Sequence, residues 1–143
     1  MKTINLFDGE YAFLSNFYEC PVEYNGFKYL NSEAAFQAQK TLSETERLRF
    51  TTLNPSQAKR LGRKVVLRKD WESVKIQIMK EICKAKFVQN PELAEKLIET
   101  KDAILIEGNT WNDMFWGVCN GKGQNHLGKI LMEVRSWITD IMS

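Results

Sequence analysis

The stretch from Trp71 to Gln89 constrains the fold more than any other part of this chain. Asp70 is placed to cap a helix there, and Trp71, Val74, Ile78, Ile82 and Ala85 recur at helical spacing, with Ile76, Met79 and Cys83 on a flank. One neighbour cannot cover so wide an apolar stripe. It predicts a long, central helix packed on by several other elements. With 143 residues, 43% hydrophobic and 27% charged, the chain can build one such core and lacks the length for a second of comparable size. A single domain over residues 1–143 is expected.

Local signals place the remaining elements around that helix. Asn25-Gly26 lies between the alternating stretches Val22-Glu23-Tyr24 and Phe27-Lys28-Tyr29, and this pair supplies the two positive-φ positions of a tight hairpin. Ser32 reads as an N-cap for a helix over 33–42, and Ser43 with Glu46 as a capping box for a second short one. Asn54-Pro55 gives a third helix ending near Gly62, and Asn90-Pro91 starts another. Ala103-Ile104-Leu105-Ile106 reads as a short buried strand. The last helix spans about 124–141, with Leu127, Leu131, Val134, Trp137 or Ile138, and Ile141 inward. The expected class is α+β: a mostly helical single domain with a small N-terminal β-hairpin and short strands.

Several chemistries are disfavoured by composition. No apolar run approaches the roughly 18 residues of a membrane span. The N-terminus reaches Asp8 too soon for a secretory signal, so a cytoplasmic location is expected. Cys20, Cys83 and Cys119 are scattered and His126 is the one histidine, so neither a disulfide framework nor a zinc site has its ligands. No metal and no other cofactor is expected. Net charge is only +2, yet residues 51–69 hold no acid while Lys59, Arg60, Arg63, Lys64, Arg68 and Lys69 are basic. That local patch suits one or two phosphates better than a long duplex.

Three segments carry residues suited to chemistry. Phe7, Tyr11, Phe13, Phe17 and Tyr18 crowd around Ser15-Asn16, where rings can stack on a base and polar side chains can bond a ribose, or simply build core. Glu33, Gln37 and Lys40 fall at i, i+4 and i+7, on one helix face. The stripe is either a solvated face or a compact acid/base pair. Breaking an N-glycosidic bond builds positive charge on the sugar, which a carboxylate stabilises. A desolvated lysine can capture an opened sugar aldehyde as an imine. The third segment runs from Glu107 through Asp113, Trp116 and Gly117 to Gly123-Gln124-Asn125. Its tryptophans are costly to expose without purpose, and its glycines follow neither P-loop nor Rossmann spacing.

Taken in order, these stretches resemble the NADAR domain family and, within it, the YbiA-like N-glycosidases. The resemblance is carried by Phe13-Leu14-Ser15-Asn16-Phe17, the block from Asn31-Ser32-Glu33 to Gln39-Lys40, Leu61-Gly62-Arg63, Leu67 to Lys75, Lys86-Phe87, Glu107 through Asp113 to Trp116-Gly117, and Gly123 through Asn125 to Arg135. It covers essentially the whole chain. It implies hydrolysis of an N-glycosidic bond in a phosphorylated nucleotide-like small molecule, such as the phosphoribosylamino-pyrimidines of riboflavin synthesis. It also implies two alternatives: removal of ADP-ribose from guanine in DNA, or a non-catalytic ADP-ribose or NAD-related binding module. By matching position, Glu33, Lys40 and Asp113 would be catalytic. Ser15, Asn16, Phe17, Gln37, Arg63, Trp71, Trp116, Gly117 and Asn125 would bind substrate. The loop from Glu107 to Asp113 is one residue longer than in some members, which leaves Trp111 without an assigned role. The presence of both carboxylates and the lysine favours an enzyme over a pure reader.

Overall fold

Residues 2–142 are described by a computed structural model. In chain order the elements are strand β1 (Thr3–Ile4), a 3-10 helix (Gly9–Leu14), strands β2 (Glu19–Tyr24) and β3 (Phe27–Asn31), and helices α1 (Ser32–Ala38), α2 (Glu44–Leu48), α3 (Pro55–Gly62), α4 (Trp71–Gln89) and α5 (Pro91–Glu99). Strands β4 (Ile104–Leu105), β5 (Gly108–Asn109) and β6 (Val118–Cys119) and helix α6 (His126–Met142) complete it. The class is α+β with helices predominant. The strands form three two-stranded sheets. Contacts divide the chain into two units, Asn16–Asn90 and Met1–Ser15 with Pro91–Ser143.

In the first unit, β2 and β3 pair antiparallel with Tyr24 opposite Phe27. Asn25 at φ 49 and Gly26 at φ 89 make the two-residue turn that the sequence predicts. Helix α1 packs against β2, β3, α3 and α4, and α4 packs against β2. The buried face of α4 includes Trp71, Ile78, Met79, Ile82, Cys83 and Phe87. Two expectations for α4 need correction. Ile76 is exposed, because a stripe that wide spills beyond what the neighbours cover. Asp70 precedes the helix but its side chain does not cap it. The Arg68 guanidinium instead takes both carboxylate oxygens, at 2.6 and 3.0 Å.

Helix α1 also departs from its predicted bounds. Its N-cap is Asn31, whose side chain accepts from the Ala34 N–H at 2.7 Å, rather than Ser32. It ends at Ala38 instead of running to Leu42, because Gln39, Lys40 and Thr41 each bond a carbonyl three residues back, tightening the chain into a 3-10 turn. Leu42, beyond the turn, is exposed. The α3 cap forms as read, with Asn54 and Gln57 bonding reciprocally ahead of Pro55. Only half of the capping box expected at α2 is present: Ser43 accepts from Glu46 N–H, while the Ser43 N–H goes to Thr41 Oγ1 and the Glu46 carboxylate to Arg49.

In the second unit, β1 pairs parallel with β4, and α6 packs against α5 and β4. Helix α6 starts at His126, directly after Asn125 at φ 54. Its buried face holds Leu127, Leu131, Val134 and Ile138, but Ile141 is exposed. Periodicity identifies the inward face; it does not tell how far the covering elements extend. Among the described residues, no helix is long and apolar enough to cross a membrane.

Candidate active site

All seven residues of α1 are buried. Ala34, Ala35 and Ala38 make this feasible, since small side chains let neighbours approach from every direction. The polar stripe is therefore no solvated face: Glu33 is 8% exposed and Gln37 5%. Glu33 sits in the first turn, where the helix dipole favours a negative charge. Its backbone N–H donates to the Asn16 carbonyl at 3.1 Å, and its carboxylate accepts from Gln37 Nε2 at 2.6 Å. That leaves Gln37 Oε1 buried without a hydrogen-bond partner. A Cβ at Gly62 would collide with this same amide, so the glycine ending α3 is what gives Gln37 its place beside Glu33.

Lys40 lies in the turn after α1, half-buried, its carbonyl held by the Arg68 N–H at 2.8 Å. Burial pulls its pKa below the ordinary lysine value. Glu33 raises it, and the cations of Arg63, Lys59 and Lys75 lower it further. The amine thus shares a field with one buried carboxylate and three positive side chains. Arg63, exposed, caps the C-terminal end of α3. Trp71 is buried against Phe36, with ring centroids 5.1 Å apart, so its indole serves packing beneath α1.

Asn16 is buried too. Its Nδ2 faces Met79 Sδ at 3.4 Å while its carbonyl anchors Glu33. Phe17 beside it is 44% exposed. Ser15, in the other unit, closes the 3-10 helix through its N–H to the Ala12 carbonyl.

The other unit carries the remaining candidates. Asp113 Oδ1 accepts from the N–H groups of Phe115 and Trp116 at 3.2 and 3.0 Å. Asn109 bridges the loop: its Nδ2 reaches the Asp113 carbonyl at 2.8 Å and Glu107 Oε2 at 3.2 Å, and its Oδ1 accepts from the Asp113 N–H. Sequence reading did not single out Asn109, because one loop asparagine has no periodicity to betray it. Trp116 is half-buried, edge-on to Phe115 and His126. Gly117 is buried where a Cβ would strike the Glu107 carboxylate. Asn125 is committed to the backbone through both side-chain atoms, accepting from Glu107 N–H and donating to the Leu105 carbonyl. It positions the loop.

Among the described residues no three His, Cys, Asp or Glu side chains gather as metal ligands. The domain family described as the NADAR domain matches residues 6–139. The chain is 45% identical over 130 residues to N-glycosidase YbiA of Shigella boydii, covering 88% of this chain and 81% of that protein. It is 39% identical over 134 residues to a riboflavin biosynthesis protein of Vibrio vulnificus, covering 90% of this chain and 36% of that longer protein. Among solved structures, the NMR structure of the Escherichia coli protein YbiA superposes with a TM-score of 0.87 at 40% identity, covering 99% of this chain and 89% of that one.

Proposed function

This chain belongs to the NADAR domain family, and from that premise we propose that it hydrolyses the ribose–nitrogen bond of a phosphorylated, nucleotide-like small molecule, of the phosphoribosylamino-pyrimidine kind. Its class is that of its relatives, an N-glycosyl hydrolase. The substrate is inferred, with support from the riboflavin biosynthesis protein among those relatives.

The observation that carries the reading is Lys40, an amine of lowered pKa in the field of the buried Glu33. An amine that loses its proton more readily than an ordinary lysine is a nucleophile in waiting. Lys40 attacks the anomeric carbon as the ring carbon–oxygen bond opens, and the carbon–nitrogen bond then breaks. Of the two protons that the amine gives up, one goes to the ring oxygen, which becomes a hydroxyl, and the other to the nitrogen, which leaves as the free amine. Water then adds to the Lys40 imine, releasing the sugar aldehyde and returning the lysine. Glu33 stabilises positive charge on the sugar and passes the proton to the departing nitrogen. Gln37, whose Nε2 donates to the Glu33 carboxylate, is proposed to orient that carboxylate toward the substrate. Arg63 holds the phosphate, with Lys59 adding to the positive field. Asp113 is proposed as a second carboxylate, and Ser15, Phe17 and Trp116 as contacts to base or ribose. Asn16, Trp71, Gly117 and Asn125 are proposed to shape the binding surface by positioning those residues.

Borohydride added during turnover tests this step, since it reduces an imine to a stable amine. We expect a ribose phosphate adduct on the peptide that contains Lys40. Peptide maps without any adduct, together with an active Lys40→Ala enzyme, would overturn the lysine's covalent role.

A further inference from the structure

The basic segment 51–69 does not present one surface. Along α3, Pro55, Ala58 and Gly62 are buried, in a helix that packs against α1. The charges of Lys59 and Arg63 act on Lys40. A third face is built differently. Gln57, Arg60, Leu61 and Lys64, at i, i+3, i+4 and i+7, line a cavity of about 290 Å³ together with Arg49 and Leu53. No carboxylate lines it. Helix α3 and the turn after it therefore carry two cations, Lys59 and Arg63, whose charges act on Lys40, and two, Arg60 and Lys64, that line a separate hollow.

Two cations and one amide donor of that hollow remain available to a ligand. The ion pairs nearest in sequence join Arg49 to Glu46 and Arg68 to Asp70. Among the described residues, none takes up Arg60 or Lys64. The Oε1 of Gln57 accepts from the Asn54 N–H within the capping box, which leaves its Nε2 as a donor. Cations near the end of α3 also offset the helix dipole, but that role requires no cavity and no apolar lining. Leu53 and Leu61, both half-buried, supply such a lining here. A concave site with two uncommitted cations, an amide donor and two leucines matches a phosphate ester attached to a flat or apolar group.

We propose that this cavity is a second anion site, which binds the phosphate of a small phosphorylated molecule through Arg60, Lys64 and Gln57. Its occupant is a free phosphomonoester rather than a nucleic-acid strand. The volume lies at the low end of the roughly 300–1,000 Å³ of small-molecule pockets, and two cations are too few for a long backbone footprint. The site does not depend on the hydrolytic mechanism, so its test is a binding measurement.

The test is amide-resolved NMR titration of the whole protein with 5′-AMP, adenosine and a short single-stranded oligonucleotide. We expect 5′-AMP to shift Arg49, Gln57, Arg60, Leu61 and Lys64, and adenosine to leave them in place. Arg60→Gln combined with Lys64→Gln should weaken that response at least about tenfold, the scale of a lost charge-assisted contact. An otherwise unchanged spectrum shows that this variant is folded. Arg63→Ala, which changes the Lys40 face, should retain the response. Shifts confined to the surroundings of Lys40 and Arg63, equal shifts with adenosine, or full binding by the double variant would each overturn the second site. Oligonucleotide binding at these residues with a steep salt dependence, and none by 5′-AMP, would overturn its assignment to a small phosphomonoester.

Discussion

At Lys40, burial and the neighbouring cations Arg63, Lys59 and Lys75 lower the amine's pKa, and Glu33 raises it. The sign of each influence makes a prediction. If the neutral amine is the nucleophile, activity rises with pH as Lys40 loses its proton, at a pH below the 10.5 of an ordinary lysine. Removing a nearby cation makes the protonated form easier to keep. The pH profile of kcat/KM for Arg63→Ala or Lys75→Ala should therefore move to higher pH. A profile that stays fixed in both variants would mean that another group sets it. The sequence spacing already placed Glu33, Gln37 and Lys40 on one face, yet it could not tell a wet stripe from a buried one. Both have the same period. The discriminating signal was the run of alanines at 34, 35 and 38, which marks a helix that neighbours can approach closely on all sides. Asn109, which fixes the Asp113 loop, gave no comparable signal because loop hydrogen bonds follow no repeat.

The fit between α1 and α3 depends on one missing side chain. Gly62→Ala would drive a Cβ into the Gln37 amide, and Gln37 would leave Glu33 or α3 would shift. Overpacking of this kind costs about 1–3 kcal/mol. We expect a moderate loss in denaturant unfolding and a larger proportional loss of kcat, because the displaced amide is the partner of the Glu33 carboxylate. Full activity in Gly62→Ala would show that the Gln37–Glu33 contact is dispensable. Elements set by local chemistry were legible: the Asn25-Gly26 turn, the Asn54-Pro55 start of α3 and the Pro91 start of α5 all stand where read. Ends set by tertiary surroundings were not. α1 stops at Ala38 through 3-10 bonds, and Asp70 spends its carboxylate on Arg68 rather than on the α4 N-terminus.

At the scale of the molecule, the family match over residues 6–139 spans both units, and we propose that the chain acts as one domain. Calorimetry should then show a single transition whose calorimetric and van't Hoff enthalpies agree; two resolved transitions would identify two domains. The central claim is chemical, and mass spectrometry of reaction products tests it most directly. The protein is incubated with a phosphoribosylamino-pyrimidine, with its dephosphorylated analogue and with ADP-ribosylated guanine in DNA. The account predicts free aminopyrimidine and ribose phosphate from the first, far less product from the other two, and a turnover at least about 100-fold lower in folded Glu33→Gln, as expected when an acid/base or charge-stabilising group is lost. Absence of product from the phosphorylated pyrimidine, or undiminished release by Glu33→Gln, would contradict it.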